Sequence, residues 1–178
     1  MAGDIWVFGY GSLIWDPGFA FVQAQVARLE GWHRSFCMLS VHYRGTPAVP
    51  GLVLALDRAE GAACHGLAFR VPAADAMPTT AYLRARELIS DAYIEARLPV
   101  ELPDGRLVEA LTYVINRDHP QYAGILTPDQ QARIIATSVG VKGYNADYLT
   151  ATAAHLADLG IADAEMEHLV ALVTQLRA

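Results

Sequence analysis

Short runs of apolar residues, several of them alternating with polar ones, cover the first two thirds of the chain and predict β-strands. A period of two is the pattern of a strand with one buried face. The last two runs flank Pro103-Asp104-Gly105, a turn sequence typical of a hairpin. The candidate strands are residues 5–10, 19–29, 34–41, 52–56, 65–71, 97–102 and 106–115.

Helix signals appear once inside this β region and then dominate the last third. Residues 79–93 contain good helix formers after Thr79-Thr80, which can cap a helix. The segment Thr127-Pro128-Asp129-Gln130 combines an N-cap, a proline at the first helical position and a capping-box glutamine. Asn145 is predicted to cap a second helix that ends at Gly160, and Asp163 to start a third.

The order of these elements predicts the fold class. Strands come first, helices come last and one helix is inserted, which is typical of an α+β protein. We therefore expect a single domain over residues 1–178 with a small mixed β-barrel or sheet. No repeat or linker divides the chain.

Composition narrows the class of partner. The chain of 178 residues has a net charge of −6 and no cluster of lysine or arginine, which disfavours nucleic-acid binding. It lacks a long apolar run for a membrane span and a basic region for a signal peptide, so we expect a cytoplasmic protein that has no membrane partner. Its six histidines lack metal-ligand spacing, and Cys37 and Cys64 are expected to be buried thiols. We predict no metal and no cofactor.

The segment Gly9-Tyr10-Gly11-Ser12-Leu13-Ile14 is a candidate binding loop. Its two glycines permit positive φ and close approach of the backbone to a ligand, and successive N–H groups can hold an anion. It lacks the lysine of a phosphate-binding loop and the third glycine of a dinucleotide loop. Ser12 stands one position too late for a nucleophile elbow. From the residues alone, a strand end packed by Leu13, Ile14 and Trp15 is the other interpretation.

Several longer segments resemble one family. VFGYGSLIWDPGF, GWHRSFC, RGTPAVPGLVLAL, GLAFRV, RE in the central helix, ALTYV, YAG and NADYL resemble the ChaC family of γ-glutamylcyclotransferases, in the family's order and over residues 5–165. The resemblance implies an α+β fold around a closed β-barrel. It also implies a lyase that cleaves reduced glutathione into 5-oxoproline and Cys-Gly without metal or cofactor.

The resemblance implies the site residues as well. Glu87 matches the family's catalytic glutamate, and the loop from Gly9 to Ile14 matches its cradle for the γ-glutamyl group. Leu83, one helical turn before Glu87, is expected to face the core, and an apolar surrounding raises the pKa of a carboxyl. The alternative is a solvated glutamate paired with Arg84 or Arg86.

Two more residues are weaker candidates. Tyr148 matches a tyrosine that can reach the site, or it packs at the edge of the core. Arg44 can pair with the glycine carboxylate of glutathione, or it braces a loop. One departure stands beside Tyr148: the family usually has Gly-Pro-Asn where this chain has Gly143-Tyr144-Asn145.

Two other functions stay open at this point. One keeps the chemistry but acts on γ-glutamyl amino acids or γ-glutamylamines. The other is a non-catalytic regulator that binds a ligand and is associated with cation transport. A protein of the latter kind is expected to lack the catalytic acid, and Glu87 is present.

Overall fold

The computed structural model describes residues 3–178 and divides into two compact units. Each unit is made of two segments of the chain. The first contains residues 3–34 and 55–116, and the second contains residues 35–54 and 117–178.

A closed β-barrel forms the first unit. Its five strands follow the order β1-β3-β2-β4-β5, and β1 and β3 each also pair with β5. These two pairings are parallel, whereas β1–β3, β2–β4 and β4–β5 are antiparallel, so the predicted mixed barrel is confirmed. The residues of β2 after Arg34 and those of β3 before Ala55 belong to the second unit. The strands are β1 (Ile5–Gly9), β2 (Gln23–Ser40), β3 (Gly51–Val71), β4 (Tyr93–Glu101) and β5 (Leu107–Ile115).

Two strands are longer than the sequence pattern predicts. The separate runs at 19–29 and 34–41 merge into β2, and those at 52–56 and 65–71 merge into β3. Each merged strand contains a glycine with positive φ, Gly31 at +83° and Gly61 at +78°. Glycine adopts this conformation at little cost, as at a β-bulge, so a strand can pass through it without ending.

The inserted helix, α1, spans Ala73–Glu87, so the prediction of residues 79–93 was wrong at both ends. Pro72 is its N-cap, and Pro78 is tolerated inside it. Thr79 does not cap the helix but is buried within it together with Ala76 and Leu83. This spacing of three and four residues gives α1 one buried face.

The second unit carries the helices of the last third. They are α2 (Pro128–Thr137), α3 (Asn145–Asp158) and α4 (Ala164–Arg177), with a short hairpin of β6 (Val139–Gly140) and β7 (Gly143–Tyr144) before α3. The capping box of Thr127 and Gln130 is confirmed, as is the start of the last helix at Asp163, which is its N-cap and accepts from the Met166 N–H at 3.0 Å. Among the helices of residues 3–178, none is long and apolar enough to cross a membrane.

Candidate functional site

The glycine-flanked loop follows β1 directly. A 3₁₀ turn spans Ser12–Ile14, and the Gly11 carbonyl accepts from the Ile14 N–H at 2.9 Å. Neither Gly9 nor Gly11 has positive φ, so close packing, not a left-handed backbone, explains Gly9. A Cβ there would lie 2.9 Å from the Cβ of Leu13 and 3.3 Å from the ring of Phe69.

Tyr10 points into the core of the first unit, not outward. Its side chain is buried, and its hydroxyl donates to the carbonyl oxygen of Tyr113 at 2.7 Å. Leu13 is buried as well, whereas Ile14 is partly exposed. The loop therefore combines a well-packed base with a partly exposed edge.

A buried arginine fixes the orientation of the loop backbone. Arg34 is 7% exposed, and its Nη1 donates to the carbonyl oxygens of Tyr10 at 3.3 Å and His65 at 2.7 Å. In a planar trans peptide the N–H points away from the carbonyl. Because Arg34 holds the Tyr10 carbonyl, the N–H of Gly11 points to the opposite side of the peptide.

Glu87 is the last residue of α1, and its side chain is only 17% exposed. Leu83, one turn earlier, is fully buried, as the sequence predicts. The Glu87 carboxylate forms an ion pair with Arg86, with Oε1 3.4 Å from Nε. The pairing that the sequence offered as an alternative is therefore present, but in a largely enclosed position and not in solvent.

Ser12 contacts the same guanidinium. Nη2 of Arg86 donates to Ser12 Oγ at 3.1 Å. A guanidinium has five donors and no acceptor, and it stays protonated. It therefore leaves the hydroxyl hydrogen of Ser12 able to donate to another group, and it cannot act as the base that a serine nucleophile requires.

A second polar network lies beside Glu87. Arg84 donates to Glu95 through Nε at 2.8 Å and Nη2 at 2.9 Å, and the Tyr113 hydroxyl donates to the same carboxylate at 3.2 Å. The hydrogen bond with Arg84 lowers the pKa of Glu95. The pKa of Tyr113 is strongly raised, mainly by burial and then by the charge of Glu95 and its hydrogen bond. The charge of Glu87 raises it further.

Tyr148 and Arg44, the two weaker candidates, contact each other in the second unit. Tyr148 is buried and its hydroxyl accepts from the Leu54 N–H at 3.3 Å. The guanidinium of Arg44 lies over the Tyr148 ring, 5.7 Å from its centre, and Nη1 donates to the carbonyl oxygen of Tyr144 at 3.1 Å. Arg44 thus contacts the start of α3, which agrees with the bracing role that the sequence left open.

The start of α3 differs from the sequence prediction. Asn145 is not the N-cap of α3: Tyr144 takes that position, and the Asn145 carboxamide binds the backbone of Leu52 instead. Tyr144 has φ −65°, which is the value that a proline ring imposes. The tyrosine therefore reproduces the backbone of the usual Gly-Pro-Asn, and Tyr148 remains on the buried face of α3.

The predicted site residues thus fall into two groups. Gly9–Ile14 and Glu87 belong to the first unit, and Arg86 connects Ser12 with Glu87 there. Arg44 and Tyr148 contact each other in the second unit. Arg86 and Tyr113 were not predicted to have a role in the site, although the RE and ALTYV segments contain them.

Neither cysteine pairing nor a metal cluster marks this site. Cys37 and Cys64 are buried thiols, as predicted. Within residues 3–178, no group of three or more histidine, cysteine, aspartate or glutamate side chains is arranged to hold a metal ion.

Known proteins resemble this chain over nearly its whole length. The family model described as ChaC-like protein matches residues 5–176. The glutathione-specific gamma-glutamylcyclotransferase of Escherichia coli K12 is 36% identical over 99% of this chain and 75% of its own. The human glutathione-specific gamma-glutamylcyclotransferase 1 is 32% identical over 95% of this chain and 77% of its own.

A solved structure agrees with these relatives. The crystal structure of the yeast gamma-glutamyl cyclotransferase specific to glutathione matches with a TM-score of 0.89 and 26% identity, covering 99% of this chain and 98% of that one. Another gamma-glutamyl cyclotransferase, at 15% identity and a TM-score of 0.55, shares the fold. With a family match over residues 5–176 and relatives more than 30% identical along most of their length, this chain belongs to the ChaC-like protein family.

Proposed function

We propose that this protein is a glutathione-specific γ-glutamylcyclotransferase that acts in the cytoplasm. One observation of the site carries the proposal: a largely enclosed carboxylate, Glu87, and the hydroxyl of the glycine-flanked loop share the guanidinium of Arg86. The names of the E. coli, human and yeast relatives support glutathione as the substrate.

The reaction is an intramolecular acyl transfer. The α-amine nitrogen of the γ-glutamyl group attacks the γ-carbonyl carbon, and a C–N bond closes a five-membered ring. The amide bond to cysteine breaks, which gives 5-oxoproline and Cys-Gly. The site must take a proton from the ammonium, stabilise the oxyanion and fold the substrate. Such positioning is worth an effective molarity of about 10⁵ M or more.

Glu87 is the general base in this scheme. Its carboxylate accepts a proton from the substrate ammonium, because the protonated amine has no lone pair for the attack. The attacking nitrogen loses a second proton when the ring closes, and the same carboxyl transfers both protons in succession to the departing nitrogen of Cys-Gly, which leaves as an ammonium group. A side chain that is 17% exposed supports this role, because proton transfer needs direct contact with the substrate and restricted access of water.

The loop from Gly9 to Ile14 is the cradle of the γ-glutamyl group. The N–H groups at the start of a 3₁₀ turn have no carbonyl partner within the turn, so they suit the α-carboxylate or the developing oxyanion. Ser12 donates a hydrogen bond and is not a nucleophile. Tyr10 supports the loop from the core.

Tyr148 and Arg44 are proposed to hold the rest of the substrate. The Tyr148 hydroxyl accepts from the Leu54 N–H, and a phenol hydroxyl is also a donor, which is the chemistry that recognises a substrate carboxylate. Arg44 stands over the same ring and adds a positive charge beside it.

The first experiment measures 5-oxoproline and Cys-Gly released from reduced glutathione by mass spectrometry. We expect product from the wild type and a loss of about 10² or more in Glu87→Gln, within the range of general acid–base catalysis. Glu109→Gln is the matched control, since its side chain is 69% exposed on β5, and we expect it to retain activity. No product from folded wild type would overturn the proposal.

The same assay with γ-Glu-Ala separates the two enzymatic alternatives. Glutathione is expected to be the better substrate by kcat/KM. A preference for γ-Glu-Ala would assign the protein to γ-glutamyl amino acids, and binding of glutathione without any product would favour the non-catalytic regulator.

A further inference from the structure

Arg86 makes more contacts than an ion pair on a helix surface requires. Its Nη1 donates to the carbonyl oxygens of Asp16 at 2.5 Å and Pro17 at 3.4 Å, and to the Tyr82 hydroxyl at 3.1 Å. Its Nη2 and Nε contact Ser12 and Glu87. One side chain thus connects the end of α1 with the segment from the cradle to Pro17.

The geometry of the guanidinium limits where the two reactive oxygens can lie. The Nε–H and one Nη2–H bond of an arginine project from the same edge of one rigid plane. Glu87 Oε1 is 3.4 Å from Nε, and Ser12 Oγ is 3.1 Å from Nη2. The carboxylate and the hydroxyl therefore both contact this rigid plane, within 3.4 Å and 3.1 Å of neighbouring nitrogens.

The neighbouring arginine on α1 is built differently. Arg84 is 56% exposed and pairs with Glu95, whereas Arg86 is 20% exposed. Charged hydrogen bonds in an enclosed position are screened less by water than those on a surface. Arg86 therefore constrains its partners more strongly than a solvated arginine does.

The segment held by Arg86 is also packed tightly against α1. A Cβ at Gly18 would lie 2.0 Å from the hydroxyl oxygen of Tyr82, and Gly18 has φ +73°. Tyr82 in turn accepts from Arg86, four residues later on the same helix. The contact between Gly18 and Tyr82 supports the attachment that Arg86 makes to Asp16 and Pro17.

From these contacts we propose that Arg86 is a positioning residue of the cyclisation. It holds the carboxylate of Glu87 and the hydroxyl of Ser12 at a fixed spacing, so that the base and the donor engage the folded γ-glutamyl group together. Arg86 acts through these two residues and does not exchange a proton itself. The inference rests on the proposed function, because the spacing has a purpose only if Glu87 and Ser12 both engage the substrate.

The test compares Arg86→Met and Arg86→Lys with wild type in the release of 5-oxoproline from reduced glutathione. We expect Arg86→Met to lose about 10²-fold in kcat/KM, mainly through kcat, since a misplacement of about 1 Å costs that much. Arg86→Lys is expected to retain only part of the activity, because an ammonium is a point charge and cannot hold two partners in one fixed plane. Arg70→Met, which removes an exposed guanidinium paired with Asp4, is the control and is expected to keep kcat.

Three further readouts separate positioning from simple loss of stability. The thermal midpoint of each variant shows whether the assayed protein is folded. Millimolar guanidinium chloride is expected to raise kcat of Arg86→Met several-fold, and sodium chloride at the same ionic strength is not. In the double variant of Ser12→Ala and Arg86→Met, the losses are expected to be less than additive, because both changes disrupt one unit.

Each outcome has one meaning. If wild type is active and Glu87→Gln is not, the proposed function holds, and an Arg86→Met enzyme with wild-type kcat would overturn the positioning role alone. Full activity of Arg86→Lys would also overturn it, because a positive charge without the planar guanidinium would then suffice for catalysis. Inactive wild type would instead reject the proposed function, and the role of Arg86 with it.

Discussion

Asn145 binds the backbone of Leu52 through both atoms of its carboxamide. Oδ1 accepts from the Leu52 N–H at 2.7 Å, and Nδ2 donates to the Leu52 carbonyl at 2.8 Å. The side chain is completely buried, so it supplies the two hydrogen bonds that a neighbouring strand would otherwise make. This pair fixes the first turn of α3, and with it Tyr148, against β3 within the second unit.

Asn145→Ala is therefore expected to destabilise the protein by about 2 to 4 kcal/mol, because two buried backbone groups lose their partners. The free energy of unfolding in urea measures the loss. Asn116→Ala, which removes an exposed bond to the carbonyl oxygen of Asp91, is the control and should cost less than about 1 kcal/mol. Equal losses in the two variants would contradict the account of Asn145.

Ser12→Ala tests whether Ser12 donates or attacks. We expect kcat/KM to fall by about 10²-fold to 10³-fold, which is typical of one lost donor in a site that stabilises an oxyanion. The thermal midpoint should change little, since Arg86 retains its other contacts. Mass spectrometry of wild type during turnover should find no γ-glutamyl adduct on the protein. An adduct on Ser12 would reject the donor role.

Tyr148→Phe tests the proposed contact with a substrate carboxylate. Loss of a hydrogen bond to a charged group should raise KM for glutathione about 10-fold or more, while the lost bond to Leu54 costs about 1 kcal/mol of stability. Tyr144→Phe is the control, because it removes a hydroxyl from a ring that is 52% exposed at the N-cap of α3. An unchanged KM in Tyr148→Phe would leave that tyrosine a packing residue.

Glu95 should make the stability of the protein depend on pH in the acid range. Its pKa is lowered from 4.5 in the folded protein by the hydrogen bond from Arg84. A lowered pKa means that the unfolded chain takes up the proton first as the pH falls. The stabilisation by Glu95 is therefore complete well above pH 4.5 and declines as the pH drops below it.

The measurement is the free energy of unfolding of wild type and Glu95→Gln from pH 7 to pH 3. The advantage of wild type should be constant near neutral pH and shrink as the pH falls below about 4.5. Glu101→Gln, whose side chain is 48% exposed and lies 3.9 Å from Arg28, is expected to show a smaller change. An advantage that grows with acidity would contradict the sign of the shift.

Local sequence signals predicted local features well. The capping box at Thr127 and the helix start at Asp163 depend on residues three positions apart, and both positions were found as predicted. The start of α1 was missed because Thr79 has the side chain of a cap and Pro78 resembles a helix breaker. Thr79 is buried within the first unit, and this burial outweighed its local preference for a helix cap. A single sequence does not reveal such tertiary packing.

Contacts between distant segments could not be predicted from the sequence, for a different reason. Arg86 was interpreted only as a partner of its neighbour Glu87, whereas its bond to Ser12 spans 74 residues. Likewise, Asn145 carries the side chain of a helix cap, but its partner Leu52 is 93 residues away. Periodicity and composition describe the shape of an element and not the distant group that its polar side chains meet.

The backbone at Tyr144 has a consequence for the unfolded chain. Its φ of −65° is the angle that proline would fix covalently, whereas here the ring lies under the guanidinium of Arg177, 5.0 Å from its centre. A tyrosine keeps its backbone freedom when the protein unfolds, and a proline does not. The folded conformation is thus maintained by a reversible contact, and this chain loses more backbone entropy at that position on folding than a relative with proline would.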